Sequence, residues 1–309
     1  MSNNISLVAL RLFVRVAATG SFAVAARQHG LPASSVSRHI AALEKSLGQR
    51  LLYRHTRAVR LTEEGERYYH SVRDVLDSLD MATEQLRGTA TEPQGLLRIN
   101  APVAFGRLHV APYLAAFQDR YPQIETEVTL TDAFVDPVQE GVDIVLRIGV
   151  LSDSSLVARR LATQHFNLCA APEYLAKRGT PRTPADLKAH NCLVYKGNRG
   201  VQRWFFRAGQ ERRFQPEEVR GNLRSNNAEC LREAALQGQG LVLFPTWLIH
   251  DDIARQRLVP LLSEWEASSE PETQAIHALF PDNRLRASKV AAFLAHLQHT
   301  IGEEPYWDR

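Results

Sequence analysis

The stretch Gly20–Leu52, GSFAVAARQHGLPASSVSRHIAALEKSLGQRLL, constrains the fold more than any other part of the chain. It divides into two short helices joined by a tight turn. Ser21 is a good N-cap for the first, and Phe22, Val24, Ala25 and Ala26 give it small apolar packing residues. Gly30 falls where a helix end takes a left-handed residue. The second helix is expected over Ala33–Leu47, because Val36, Ile40, Leu43 and Leu47 recur at spacings of four, three and four and so share one buried face. Ser34, Ser35, Ser37, Arg38 and Ala41 then face outward. Small polar residues and one arginine at the exposed start of a second helix suit contacts to base edges in the DNA major groove. From this stretch alone, an ordinary helical hairpin is the alternative.

Charge segregation favours the DNA reading. Residues 1–62 carry nine basic side chains against the single acid Glu44, and the remainder carries 28 basic and 33 acidic ones. A basic head on a mildly acidic body is the pattern expected when only the head meets a polyanion. The 309 residues are enough for two or three domains, and 44% hydrophobic with 23% charged content is ordinary globular composition. No apolar run approaches the roughly 20 residues of a membrane span, and the first residues do not form a secretory signal. Cys169, Cys192 and Cys230 lack metal-ligand spacing, which points to free thiols in a reducing cytoplasm.

A first helix is expected over Ile5–Ala18, with Leu7, Leu10, Phe13, Val14 and Ala17 as its apolar stripe. Gln49–Leu61 alternates like a β-wing and carries Arg50, Arg54, Arg57 and Arg60 for phosphate contacts, with His55 and Thr56 at its tip. Thr62 caps a long helix whose first turn holds Glu63 and Glu64. Tyr69, Val72, Val75, Leu76, Leu79, Ala82 and Leu86 form an apolar stripe with no following helix to cover it. An antiparallel dimer of this helix satisfies it, packing on its own C-terminal domain being the alternative. Gly88–Gly95 reads as a linker.

Beyond the linker, strands and helices alternate, implying a mostly parallel sheet in each of two α/β lobes. Strands are expected at Leu96–Ile99, Ile124–Leu130, Val142–Ile148, Phe166–Ala170, Cys192–Tyr195, Trp204–Phe206, Leu241–Phe244 and Ala275–Phe280. Helices are expected at Val103–Arg120, Ala133–Glu140, Pro172–Arg178, Asn226–Gln237, Thr246–Arg255 and Ser288–Thr300. The chain crosses between lobes near Leu161–His165 and returns around Glu264–Thr273.

Particular motifs then stand out. The head holds FVRVAATGSFAVAARQHGLPASSVSRHIAALEKSLGQRLLYRHTR and LTEEG (Leu61–Gly65). The body holds INAPVAFG (Ile99–Gly106), GVDIVLRIG (Gly141–Gly149), DSSLVARRL (Asp153–Leu161), LVY (Leu193–Tyr195), SNN (Ser225–Asn227) and FP (Phe244–Pro245). Over essentially its whole length the chain resembles the LysR-type transcriptional regulators, in the subgroup often associated with aromatic or organic-acid metabolism and stress genes. The resemblance implies a winged helix-turn-helix at about 4–62, a linker and dimerisation helix with hinge at about 63–91, and an effector-binding domain at about 92–305. That domain would resemble periplasmic binding proteins, with lobe I at about 95–163 and 270–301 and lobe II at about 164–269. It further implies inverted-repeat promoter DNA and RNA polymerase as partners, a homodimer through the linker helix, and a homotetramer through the lobes. Effector binding would change the angle between the lobes and the spacing of the heads.

The expected DNA-contacting residues are Ser21, Pro32, Ala33, Ser34, Ser35, Ser37, Arg38, Arg50, Arg54 and Arg57. One departure matters. The family often starts its recognition helix with Ser or Thr and then Gln, where this chain has Pro32 and Ala33. Proline is acceptable at a helix start, but alanine removes a bidentate adenine reader. Base readout therefore shifts to Ser34, Ser35, Ser37 and Arg38.

A small organic effector, anionic or aromatic, is expected in the cleft at the carboxyl ends of the strands. Asn100, Pro102 and Val103 follow the first strand, and Pro102 opens a helix whose free N–H groups suit an anion. Arg147, Ile148 and Gly149 follow another strand, Ser225 and Asn226 open a helix from the other lobe, and Phe244 and Pro245 add an apolar wall. Each has a plainer alternative: Asn100 as a cap, Arg147 paired with Asp143 or Asp136, Ser225 as an N-cap. Cys230 as a redox sensor is weighed against a buried structural thiol. The absence of GxSxG, HExxH and glycine-rich phosphate loops argues against an enzyme, and no cofactor or metal is expected. A solute-binding protein with a DNA-binding head and a ligand-independent regulator are the rival readings.

Overall fold

The computed structural model describes residues 5–55, 58–87, 92–137, 140–151, 156–197, 200–209, 213–281 and 288–309. Of the expected wing tip, His55 ends a described strand while Thr56 lies outside the described residues, as do Arg57, residues 88–91 of the linker and the serines at 152, 154 and 155. Contacts cluster into two compact units, the second beginning at Glu92.

The first unit is a winged helix-turn-helix with a long helix behind it. Helix α1 spans Leu7–Thr19, α2 Phe22–Gln28 and α3 Ala33–Leu47, followed by a hairpin of β1 (Leu52–His55) and β2 (Ala58–Leu61) and then α4 (Glu63–Arg87). Ser21 caps α2 by accepting the Val24 N–H at 3.3 Å. Gly30 at φ 62° makes the turn, and Gly48 at φ 68° ends α3 in the left-handed region. Val36, Ile40 and Leu43 are buried, as their spacing requires. The stripe of α1 is rotated from expectation: Ala9, Leu12, Phe13 and Val16 are buried, while Leu7 is 43% exposed. Almost every α1 position except its arginines is apolar, so periodicity alone could not choose a face. Packing chose it, with Phe13 meeting the rings of Tyr68 and Tyr69 on α4 at 5.8 and 6.5 Å.

Thr62 joins wing and helix. Its hydroxyl donates to the Arg50 carbonyl at 2.7 Å and accepts the Gly65 N–H at 2.9 Å. A Cβ on Gly65 would stand 2.0 Å from the Leu51 carbonyl oxygen. The glycine of the LTEEG motif therefore permits the close approach of α4 to the wing.

The second unit comprises two lobes. Lobe I contains β3 (Gly95–Ala101), α5 (Val103–His109), α6 (Leu114–Arg120), β4 (Ile124–Leu130), β5 (Ile144–Gly149) and β6 (Val157–Thr163). Lobe II contains β7 (Phe166–Ala170), α7 (Pro172–Arg178), β8 (Val194–Gly197), β9 (Gly200–Val201), β10 (Trp204–Ala208), β11 (Gln215–Glu217) and β12 (Arg224–Ser225). It continues with α8 (Ala228–Leu236), β13 (Val242–Pro245), α9 (Thr246–Ala254), β14 (Val259–Leu261) and β15 (Trp265–Ser268). The chain then returns to lobe I as β16 (Ala275–Phe280) and α10 (Ser288–Ile301).

Neither main sheet is mostly parallel: that of lobe I is mixed and that of lobe II antiparallel. Lobe I has the order β4-β3-β5-β16-β6, with β3 parallel to β4 and β5 but the returning β16 antiparallel to both its neighbours. In lobe II the order is β11-β10-β15-β7-β13, with β14 also on β7 and all of these pairs antiparallel. The single helix expected over Val103–Arg120 breaks into α5, a 3₁₀ turn at Ala111–Tyr113 and α6, because Pro112 has no N–H to continue it. The expected helix at 133–140 is irregular where described. Strand β6 escaped detection because its VARRLAT segment has no alternating pattern, with three consecutive exposed residues, Ala158, Arg159 and Arg160, at its centre.

Candidate functional site

Two surfaces concentrate polar chemistry, one in each unit. On the first, Pro32 is the N-cap of α3 at φ −63° and ψ 142°, and Ala33, Ser34, Arg38, Ala41 and Lys45 are exposed along one face. Arg38 Nη2 donates to Ser35 Oγ at 3.1 Å, which steadies the guanidinium near the helix start. Ser37 is half-buried beside it, and Ser21 is engaged as the α2 cap. Arg50 is exposed just before the wing, and Arg54 lies in β1 opposite Val59. Arg57 lies outside the described residues, as does the side chain of Arg54.

The second surface is a cleft of about 280 Å³ between the lobes of the regulatory unit. Asn100, Pro102, Val103, Arg147, Ile148, Phe244 and Pro245 all line it, whereas Gly149, Ser225 and Asn226 do not. Ser225 Oγ instead accepts the Asn227 N–H at 3.1 Å, and Asn227 is the residue that caps α8, accepting from Cys230 N at 2.9 Å. Asn100 does not cap: it is buried and donates through Nδ2 to the Thr129 carbonyl at 3.2 Å. Arg147 donates to the Val135 carbonyl at 3.1 Å and lies 4.7 Å over the Phe134 ring. Asp143 binds the Lys289 ammonium at 3.3 Å and the Arg98 N–H at 2.9 Å.

Several further residues shape the cleft beyond those expected there. Asp132 Oδ1 accepts the Val103 N–H at 3.1 Å and so closes the start of α5. Tyr195 faces the cleft from lobe II, its phenol pushed up by burial and by the Asp132 charge. The two crossings are hydrogen-bonded side by side: Gln164 N–H donates to the Gln274 carbonyl at 3.0 Å, and the Gln164 side-chain amide donates to Gln274 Oε1 at 3.2 Å. The Trp247 indole donates to Gln164 Oε1 at 3.1 Å. Arg107 of lobe I and Glu229 of lobe II form an ion pair. These partners are far apart in sequence, so only folding shows them together.

The family profile described as LysR substrate binding domain matches residues 90–302, and that described as bacterial regulatory helix-turn-helix protein, lysR family, matches residues 7–66. The chain belongs to the LysR-type transcriptional regulators. It is a LysR-type regulator with a helix-turn-helix DNA-binding domain and an effector-binding domain. It is 33% identical over 293 residues to the HTH-type transcriptional regulator CrgA of Neisseria meningitidis, covering 95% of this chain and 96% of that one. It is 39% identical over 267 residues to DmlR of Escherichia coli, covering 85% and 86% of the two chains. The solved structure of CrgA superposes with a TM-score of 0.62 at 32% identity, covering 96% of this chain and 99% of CrgA. Full-length AphB, a virulence activator of Vibrio cholerae, superposes with a TM-score of 0.57 at 28% identity, covering 94% of this chain and 98% of AphB.

The cysteines of this LysR-type regulator are all free. Cys169 and Cys192 are buried, and burial pushes both thiols up, Cys192 to about 12. Cys230, whose burial was the plainer alternative to sensing, is exposed on α8. Among the described residues no three His, Cys, Asp or Glu side chains gather as a metal site, and no helix is long and apolar enough to cross a membrane.

Proposed function

We propose that the protein works as a cytoplasmic, nucleoid-associated homodimer joined through α4, with lobe contacts building a homotetramer. Each head lays α3 in a major groove of inverted-repeat promoter DNA. Ser34, Ser35, Ser37 and Arg38 meet base edges there. Ser21, Pro32 and Ala33 lie against the backbone at the helix start, and Arg50, Arg54 and Arg57 bind phosphates. A small organic effector in the cleft, touching Asn100, Pro102, Val103, Arg147, Ile148, Phe244 and Pro245, alters the angle between lobes. That change moves the heads and their contact with RNA polymerase. Gly149, Ser225 and Asn226 shape the adjoining backbone. The protein regulates transcription and catalyses nothing.

The observation that carries this reading is the exposed face of α3, where Ser34 and Arg38 stand on a basic head. Fluorescence anisotropy on the promoter fragment tests it. Arg38→Ala should weaken binding by about tenfold or more and relax the preference at one base position. Arg50→Ala should weaken all sequences alike and lower the salt slope by about one. Equal losses on specific and random DNA for Arg38→Ala would remove α3 from base reading.

A further inference from the structure

Lobe II holds a second cavity, of about 430 Å³, beside α7 and the turn after α8. It shares no lining residue with the cleft. Asn227 and Ala228 at the start of α8 line the cleft, whereas Gly238 and Gln239 beyond its end line the second cavity. A helix of nine residues, about 14 Å long, therefore stands between the two. The wall of the second cavity is organised by Asn191. Its Nδ2 donates to Asn222 Oδ1 at 2.9 Å and to the Gln239 carbonyl at 2.7 Å, and its Oδ1 accepts the Asn222 N–H at 3.0 Å. Its own N–H donates to the Tyr174 hydroxyl at 2.9 Å. Two glycines permit the close approach of these segments. A Cβ on Gly221 would stand 1.9 Å from the Cys192 carbonyl oxygen, and one on Gly240 2.3 Å from that of Asn191. The cavity is thus shaped by the protein alone, which lowers the cost of filling it.

Its charge is one-sided. Lys177 and Arg178, the last two residues of α7, line the cavity, and no carboxylate does. Neither cation has a hydrogen bond or ion pair with the rest of the chain. The nearby carboxylate of Asp186 is occupied by the N–H groups of Arg182 and Thr183 at 2.9 and 2.8 Å. The Arg178 field reaches the wall: the pKa of His190, whose Nδ1 lies 3.2 Å from the Tyr174 hydroxyl, is lowered by burial, raised by Asp186 and lowered again by Arg178. Asn222 contributes an uncommitted donor. Asn191 Nδ2 must face the Gln239 carbonyl, so Asn222 must present Oδ1 to it, and the Asn222 amide nitrogen keeps no protein acceptor. Cations in a last turn complement the helix dipole. That accounts for the two charges, but not for a preformed cavity beside them that is free of acids.

We propose that this cavity is a second ligand site, which takes a compact oxyanion of two or more negative charges. A phosphoryl group and a small polycarboxylate share that chemistry. Lys177 and Arg178 supply the attraction, and the Asn222 amide donates to an oxygen. The site is independent of the cleft and of any effector held there.

Inorganic phosphate and citrate, each titrated by calorimetry into the full chain in low-salt chloride buffer, test it. One anion per chain should bind, and the tighter of the two probes names the group the site takes. Lys177→Ala combined with Arg178→Ala should weaken that binding by about tenfold or more. Asn222→Asp should weaken it as much, because its carboxylate still accepts from Asn191 while adding like charge. The unliganded Tm of each variant verifies the fold. Affinity unchanged in either variant would overturn the proposal, since the anion would then lie elsewhere, on the basic head for example. No binding by either probe would overturn it as well. Arg147→Ala removes the cation of the cleft, and an affinity lost there would overturn the proposal by placing the anion between the lobes.

Discussion

At the scale of single residues, Gly65 and His109 carry the most pointed consequences. Gly65 sits where a Cβ would meet the Leu51 carbonyl oxygen at 2.0 Å, and backbone on both sides leaves no flexible group to yield. Gly65→Ala should therefore destabilise the head by about 1–3 kcal/mol despite alanine's better helix propensity, a loss read as a lower urea midpoint. His109 is buried, with Nε2 2.9 Å from the Trp247 carbonyl and Nδ1 2.5 Å from the Tyr306 hydroxyl. The carbonyl can only accept, so Nε2 carries the proton and Nδ1 accepts from Tyr306. Burial first, and then the neighbouring His250 and Arg107, lower its pKa from 6.5 to about 4. Between those values the unfolded chain binds the proton that the folded chain refuses. Stability from this group is therefore present above pH 6.5, falls as pH drops toward 4, and amounts to roughly 3 kcal/mol. His165 acts in the opposite sense, since its hydrogen bond to Asp308 raises its pKa and stabilises at lower pH. The difference in Tm between the native chain and His109→Gln isolates the first effect. That difference should shrink between pH 7 and pH 4, because glutamine can still donate to Trp247 without titrating.

Elements differ in how plainly the sequence declares them. Helix α3, strand β4, strand β7, helix α7 and strand β16 agree with their expected limits, because each is a strongly patterned run bounded by a cap, a proline or a polar turn. The failures share a cause in tertiary context. The face of α1 depended on which side met Tyr68 and Tyr69, the break in α5–α6 on one proline, and β6 on pairing with β16 rather than on its own residues. The cleft was half legible for the same reason. Residues on strand ends such as Asn100, Arg147 and Phe244 could be named from the βα pattern. Asp132, Gln164 and Gln274 could not, since loops and crossings carry no periodicity, and Tyr195, at the end of an expected strand, gave no sign of which side it faced. Helix α4 makes an element-scale prediction. Its stripe leaves Val75 62% and Leu79 42% exposed, an apolar surface that a second α4 would cover. Leu79→Glu should halve the mass seen by light scattering. It should also weaken operator binding by about a hundredfold, the avidity lost when two heads are uncoupled.

At the scale of the whole molecule, the regulatory unit ties its two lobes together at several points besides the cleft. Trp307 is buried against Phe105 and His109, Tyr306 packs on His250 of α9, and Asp308 meets His165 at the crossing. With the Arg107–Glu229 pair and the coupled glutamines, these contacts give the lobes a defined resting angle. An effector must bind one angle better than another to shift it. The reading of DNA is the claim on which everything else depends, and it turns on Ala33 standing where relatives often place a glutamine. Binding-site selection from random DNA with the full chain, repeated with Ala33→Gln, tests it most directly. The account predicts an interrupted inverted repeat for the native chain and a changed half-site preference, gaining an adenine contact, for the variant. Selection of no repeat, or of the same half-sites before and after the substitution, would contradict it.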